Sequence, residues 1–494
     1  MRGNGWPGPL VWPLIALLGG SLWAQTAPEP EDSPRTRLTV EEAVNLAMKN
    51  NLSLQAGALA LDTKKRKSDL VWNQFLPDLA VRGTLAHQNK ASSQSGVAPL
   101  TSAQAGALGL SGSAEISIPG GPTIYNYMMP YSMTAPQWHV QGNFSASLTL
   151  SAALFAGIQA IQADYQAGQV TYEKASLQIE RDVRKAYNDM LLLAENIALL
   201  RESYATADRQ VVTAQANYRA GLAPELTLLQ ARVSRDNMKP TIDQAENGLA
   251  LSEARFAMTL GLPYETRFEL VPAEGETGFI PLDLAELIRQ ATRNKPDIRE
   301  LQRQLAALEK SRKAQALQSY TPYLRFDWSL NPTFSPALDP FKDNWFKKDN
   351  WSDGGTFSIT VGIGLNSLFS FTKEGQAIKD IDNQIKTIAN GISQAIRGTE
   401  LEIYNTLLAL EQVQTTVEAQ TETVKMAEQS YKLTEDAYKA GLQDLLQVQN
   451  AELQLRQARL EILKQEFSYR NSLIDLEYAM GIPFGALSSR EGGN

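Results

Sequence analysis

The chain of 494 residues contains no cysteine. Disulfide frameworks, thiolate metal sites and cysteine nucleophiles are therefore excluded together. Its only histidines are His87 and His139, which leaves little for histidine-based acid–base work or zinc ligation. No G-x-S-x-G, G-x-x-x-x-G-K or H-E-x-x-H occurs, nor any metal-spaced cluster. Acidic pairs such as Glu41-Glu42 and Glu435-Asp436 lie on charged helix faces, where carboxylates are ordinarily solvated. The chain reads as a non-enzyme without a cofactor. A basic surplus is also lacking. Lys and Arg number 46 against 54 Asp and Glu, which argues against nucleic acid as a partner. Outside the N-terminal segment no run approaches 18 apolar residues, so no helical membrane span is expected in the mature chain.

What is present begins with Arg2, the apolar run Leu10–Leu18 and Ala24. That order reads as a signal peptide over 1–24, with an N-terminal membrane anchor as the alternative. A polar, proline-rich leader follows over 25–37.

Between Ile179 and Tyr218 apolar residues recur in steps of four and three: Ile179, Val183, Ala186, Met190, Leu193, Ile197 and onward to Ala214 and Tyr218. No proline interrupts them. This is the 3.5-residue repeat of a supercoiled helix seam, and the rod predicted from it, 157–220, is about 95 Å long. A second rod, 374–440, keeps the same phase from Ile392 to Tyr438 with small polar substitutions. A further apolar row (Leu191, Ala194, Ala198, Ala205) points to neighbours on both sides of a rod.

The rods belong to a unit written twice. Repeat 1 spans 38–263, with helices over 39–75, strands 79–87 and 138–151 around a long loop 88–137, the rod, and a return helix 224–260. A linker (264–281) leads to repeat 2, 282–483. This has helices over 283–320, strands 323–332 and 356–367, the second rod, and a return helix 444–480 before the tail 484–494. Thr39 is placed to cap the first helix. Both short helical stretches end at aromatic-x-Pro-x-Leu, Phe75 to Leu79 and Tyr320 to Leu324. Both rods end at Tyr218-Arg219-Ala220-Gly221-Leu222 and Tyr438-Lys439-Ala440-Gly441-Leu442, where a glycine can take the left-handed conformation that stops a helix.

After each proline the apolar period falls to two. Leu324, Phe326, Trp328 and Leu330 alternate with Arg325, Asp327 and Ser329. Such strands fit a tilted transmembrane β-strand with a lipid face and a lumen face. Alternation alone fits a soluble hairpin packed on a core equally well. The loop 88–137 reads as structureless, of a kind ordinary outside a barrel. The aromatics of the second loop (Trp345, Phe346, Trp351) suit either an interfacial girdle or a small core. Four strands cannot close a barrel, since the smallest single-chain membrane barrels have about eight, and open edges are not tolerated in lipid.

The tandem repeat, the strand pairs after FLPDL and YTPYL, and the turns YRAGLAPELTLLQAR and YKAGLQDLLQVQNAE together resemble the TolC-like outer-membrane efflux proteins. The resemblance covers about 38–485. It implies a mainly α fold with a transmembrane β-barrel part. Four strands per protomer would give a 12-stranded trimeric barrel, continued by a 12-helix α-barrel. It further implies a homotrimer in outer-membrane lipid, with a long periplasmic extension. Such a duct serves tripartite efflux or type I secretion, conducting passively what an inner-membrane pump of the RND or ABC type delivers through a periplasmic adaptor protein. The turns Tyr218, Arg219, Gly221, Leu222 and Tyr438, Lys439, Gly441, Leu442 are similar to adaptor-contacting tips. Several family members close the mouth with aspartates six and nine residues after the second turn glycine. Here Gln447 and Asn450 stand there, with Thr227 at the matching place in repeat 1. The expectation is an aperture lined by Gln447 and Asn450, with Asp444 and Glu225 nearer the rim, or else residues that merely bond between helices. Arg82 and Asp327 are expected to face the barrel lumen, paired or singly solvated. The competing reading is a soluble periplasmic coiled-coil adaptor or scaffold.

Overall fold

The computed structural model describes residues 36–87, 89, 93–99, 107, 115–116, 124–125, 128–134, 138–272, 282–334, 348–365, 369 and 371–487. The signal peptide, the leader to residue 35, Trp345 and Phe346, and residues 488–494 lie outside the described residues.

Strand β1 (Thr36–Leu38) precedes α1 (Val40–Asn50). Thr39 caps α1 through a reciprocal pair: its hydroxyl accepts from the Glu42 N–H, and its own N–H donates to the Glu42 carboxylate at 2.8 Å. Helix α2 (Leu52–Asp69) leads through a tight turn at Val71–Phe75 into β2 (Asp78–His87). Strand β3 (Trp138–Ser151) returns and runs into α3 (Ala152–Arg219) with no loop between them. The 68 residues of α3 span roughly 100 Å at the usual rise. Helix α4 (Glu225–Thr259) comes back through Pro240, and β4 (Phe268–Leu270) lies parallel to β1. Repeat 2 supplies α5 (Leu284–Asn294), α6 (Pro296–Tyr320), β5 (Tyr323–Leu330), β6 (Gly355–Gly362), α7 (Lys373–Lys439) and α8 (Leu445–Met480).

Several expected boundaries move. The leader gives up Thr36 and Arg37 to β1, and the first rod starts at 152 because the strand feeds it directly. The long loop is not structureless: 93–99 pairs with 128–134, and 115–116 with 124–125. Its Ser-, Gln- and Ala-rich composition hides a ribbon with no clear alternation. In the second loop 333–334 pairs with 351–352, and buried Phe334 meets Trp351 edge-on at 5.4 Å, a small core of its own. The tail begins by folding back. The Glu477 carboxylate accepts the N–H groups of Gly485 and Leu487 at 2.9 and 2.8 Å, and Leu487 is buried.

The long strands form one antiparallel sheet in the order β2–β3–β5–β6. Leu79, Val81, Leu85, Trp328, Phe357, Ile359 and Val361 stand exposed on one face. A soluble hairpin domain would have buried that face. The outer edges of β2 and β6 have no partner strand among the described residues.

The rods repeat this order. Helix α3 packs against α2 and α4 on one side and against α6 and α8 on the other, and α7 packs against α6 and α8. Each pair of shorter helices meets near the middle of a long one. In repeat 1 the junction is Asn51. Its side-chain oxygen accepts from the N–H groups of Ser53 and Leu54, capping α2, while its amide donates to the Thr259 carbonyl at 2.8 Å at the end of α4. In repeat 2, Pro296 opens α6 and Lys295 forms an ion pair with Glu402. Gly261 and Gly481, both at positive φ, press against the backbones of Asn50 and Asn294. The main cores lie there, around Val183, Tyr187 and Phe256 in repeat 1 and Ile403, Leu473 and Met480 in repeat 2.

All four helix-ending glycines, Gly221, Gly261, Gly441 and Gly481, have φ between 62° and 74°. Alanine at Gly221 or Gly441 meets open space and costs only the left-handed backbone, roughly 1–2 kcal/mol. Alanine at Gly481 would put a Cβ 2.5 Å from the Asn294 carbonyl, and Gly261 is at least as tight against Asn50. Thermal unfolding of the purified protein should therefore show a clearly larger loss for Gly261→Ala and Gly481→Ala than for the two turn variants.

Candidate functional site: the mouth and the seams of the rods

Both turns close in the same way. The Leu222 N–H donates to the Asn217 carbonyl at 2.8 Å, and the Leu442 N–H to the Ala437 carbonyl at 2.9 Å, the six-to-one bond of a glycine-ended helix. Beyond the bond, Leu222 and Leu442 are each 79% exposed. Tyr218 and Arg219 are exposed as well, and Lys439 reaches back to Glu435 at 3.0 Å. The two tyrosines differ. Tyr438 is half-buried against Val211, Ala214, Leu228, Ala231 and Leu445, so it ties the second turn to the first hairpin. Burial pushes its phenol up.

The rim residues fall into separate roles. Asp444 caps α8, its carboxylate accepting the Gln447 N–H at 3.0 Å. Glu225 lies exposed in the first turn of α4, and half-buried Thr227 donates its N–H to the Pro224 carbonyl. Gln447 and Asn450 are exposed, and neither side chain bonds another helix among the described residues. In the sheet Arg82 lies opposite Asn143, and Asp327 opposite Ser147. Their partners on β3 therefore lie four positions apart along the wall. Asp327 pairs at 2.8 Å with Arg325, two residues away on the same face of β5, and not with Arg82.

Sequence reading missed the seam between the repeats. Along α3, Thr171, Lys174, Arg181, Lys185 and Asn188 keep the heptad's rhythm and all face α6 or α8. Lys174 bridges Asp297 and Glu300 at 2.8 and 2.9 Å, Lys185 meets Asp475 at 2.6 Å, and Asn188 bonds Asn471 at 3.0 Å. Arg181 lies over the Tyr478 ring, whose phenol burial and Asp297 push up to about 12. The only available signal was a row of polar residues at steps of three and four, which ordinarily marks a solvated face.

Nearer the mouth the seam opens into a cavity of about 530 Å³ between α3, α7 and α8. Glu202 of α3 and Glu428 of α7 both hold Arg459 of α8, at 3.3 and 2.7 Å. Beside them one carboxylate oxygen of Glu452 is buried without a hydrogen-bond partner among the described residues. Burial pushes this carboxyl above its ordinary range and Glu202 adds to the push, against the opposing pull of Ser203 and Arg456. Tyr431 of α7 faces the same group, and Glu435 of α7 and Arg209 of α3 line the cavity.

Among solved structures the chain is similar to CusC, described as forming a transmembrane channel, at 16% identity and a TM-score of 0.67, covering 90% of this chain and 92% of that one. The Campylobacter jejuni CmeC outer membrane channel gives 14% and 0.66, over 92% and 88%. The open state of the Neisseria gonorrhoeae MtrE outer membrane channel gives 17% and 0.59, over 90% and 89%. These likenesses establish the fold. No curated protein matches in sequence. The profile of the outer membrane efflux proteins matches residues 43–262 and 287–482, both repeats and nearly the whole of each. The chain therefore belongs to the outer membrane efflux protein family.

Proposed function

We propose that three copies of this chain close into one outer-membrane exit duct, whose periplasmic turns dock on an adaptor that delivers cargo from an inner-membrane pump of the RND or ABC type. The duct conducts passively, and choice of cargo rests with the pump. The exposed lipid-compatible sheet face and family membership favour this over a soluble adaptor or scaffold.

One observation carries the closure. The repeats match in sequence at an offset of 220 residues from rod to return helix. The seam inside the chain therefore predicts which residues meet at the seam between chains. Arg181 and Tyr478 touch inside the chain, and their counterparts are Leu401 and Met258. Asn188 and Asn471 bond inside the chain, and their counterparts are Leu408 and Leu251. All four counterparts are exposed large apolar residues, Leu401 at 60% and Met258 at 68%. They lie on the two open edges, α7 and α4, where the next subunit would sit. An even number of strands also lets β6 meet the next copy's β2 antiparallel. Such head-to-tail contacts form a ring when the rotation closes.

Because the chain has no cysteine, Leu408→Cys with Leu251→Cys offers a direct test. A short bismaleimide should yield a covalent trimer on denaturing gels, with neither single variant giving more than a dimer. Dimers or monomers from the double variant would refute the ring.

Leu222→Glu with Leu442→Glu should leave the trimer and its bilayer conductance intact while lowering export in cells at least tenfold. Equal loss of assembly would instead make the turns structural.

The seam at Glu452 gives a pH dependence. Its carboxyl pKa is raised in the packed seam, so the packed seam binds the proton more tightly than an opened one. Its extra stability is present at low pH and is lost as pH rises through that raised pKa. Conductance should fall on acidification, and Glu452→Gln should flatten the dependence at the low-conductance level.

A further inference from the structure

We propose that the helices just below the sheet carry a basic collar that binds anionic phospholipid headgroups of the membrane's periplasmic leaflet. Between the sheet and the upper third of the rods the sign of the charge inverts. The segments 62–69, 152–166, 309–313 and 373–386 hold ten Lys and Arg against seven Asp and Glu, in a chain with 46 against 54. Lys65, Lys67, Lys310, Lys313, Lys373 and Lys379 are all exposed, and none has an ion pair among the described residues.

Position ties these bases to a membrane surface. Trp72, Leu76, Phe155, Phe369 and Phe371 are exposed between the lipid face of the sheet and the collar. Phe75 packs on Phe155, and Phe369 on Phe371, each pair at 5.6 Å. Exposed aromatics at the end of a transmembrane wall mark the headgroup level. Lys67 is five residues from Trp72, and Lys313 seven from the end of α6, about 10 Å below that level by helix rise. An extended lysine and the screening length of about 8 Å together reach across such a gap.

The orientation of α2 does not weaken the argument. Lys64, Lys65, Arg66 and Lys67 are consecutive, and at 3.6 residues per turn four consecutive positions wind nearly round a helix. Lys64 is spent on Asp164 of α3 at 2.8 Å and Arg66 on Asp62 at 3.3 Å. Lys65 and Lys67 are left for the surroundings. A phosphate-bearing headgroup matches them in charge and height, and it continues the contact that the sheet already makes with acyl chains.

The inference needs only membrane residence, so it can fail while the duct stands. The test is native mass spectrometry of the full-length protein in neutral detergent, titrated with phosphatidylglycerol or phosphatidylcholine of the same chain length. A base near an anionic surface is worth about a fivefold change in partition, so retention of phosphatidylglycerol should exceed that of phosphatidylcholine at least fivefold and weaken with salt. The variant Lys65→Gln/Lys67→Gln/Lys313→Gln should lose most of that preference while keeping its conductance in phosphatidylcholine bilayers. Equal retention of the two lipids, or an undiminished preference in the variant, overturns the collar. Should the triple variant fail to assemble, the salt dependence of the unaltered protein decides alone: a preference insensitive to salt refutes it.

Discussion

A sheet that faces hydrocarbon cannot leave its outermost N–H and C=O groups unpaired, since each such group costs several kcal/mol where no water can reach it. The four long strands pair fully with one another but leave the outer edges of β2 and β6 open. Nothing else in the described chain covers them. The rods inherit the same condition because they continue the strands: α2 leads into β2, β3 into α3, α6 into β5, and the chain after β6 into α7. The order of rods is thus fixed by the order of strands. Closing the sheet with further copies brings the rod edges together at the same joints. Stacking two shorter helices opposite each long one makes this workable, because every rod then reaches the full length of the wall.

The joints of such a wall are not alike. Inside the chain the repeats meet through lysine, arginine, asparagine and carboxylates. Most of these groups are partly exposed, and pairs of that kind contribute only about 0–1 kcal/mol each. At the proposed joint between chains the same register offers Leu401, Leu408, Leu251 and Met258. Burying a side chain of that size contributes roughly 1.5–3 kcal/mol. At these two register positions the proposed joint is the more apolar, whereas the seam inside each chain is charged and ends at Glu452 and the clamped Arg459 near the mouth.

Much of this was legible in the sequence, and the reasons for the rest are specific. The 3.5-residue seam, the glycine stops and the period-two strands are local patterns, and each implies its element directly. The residues of the mouth were legible as positions but not as roles. Tyr218 and Tyr438 sit in nearly identical words, yet only Tyr438 packs against the other hairpin, because that depends on what lies across a gap between repeats. Asp444 was legible as a residue near the rim but not as the N-cap of α8. Arg82 and Asp327 correspond between repeats, but strand register separates them. The polar seam on α3 escaped notice because a charged heptad stripe looks like a wet surface until its partners are known.

The four glycine stops share a backbone but differ in what covers the residue that follows. At each, the residue after glycine returns its N–H to the helix, and an apolar side chain there usually packs on the last turns. At the two junctions it does: Leu262 and Ile482 lie partly buried against the main cores. At the two turns it does not. Leu222 and Leu442 have the same backbone and the same bond, yet they project largely uncovered by the described residues of their own chain. A helix stop needs the glycine and has no use for an uncovered leucine beyond it. Two such leucines per chain at the far end of a long rod, multiplied around the proposed ring, would make an apolar crown that water disfavours. The docking partner proposed above would remove it from water.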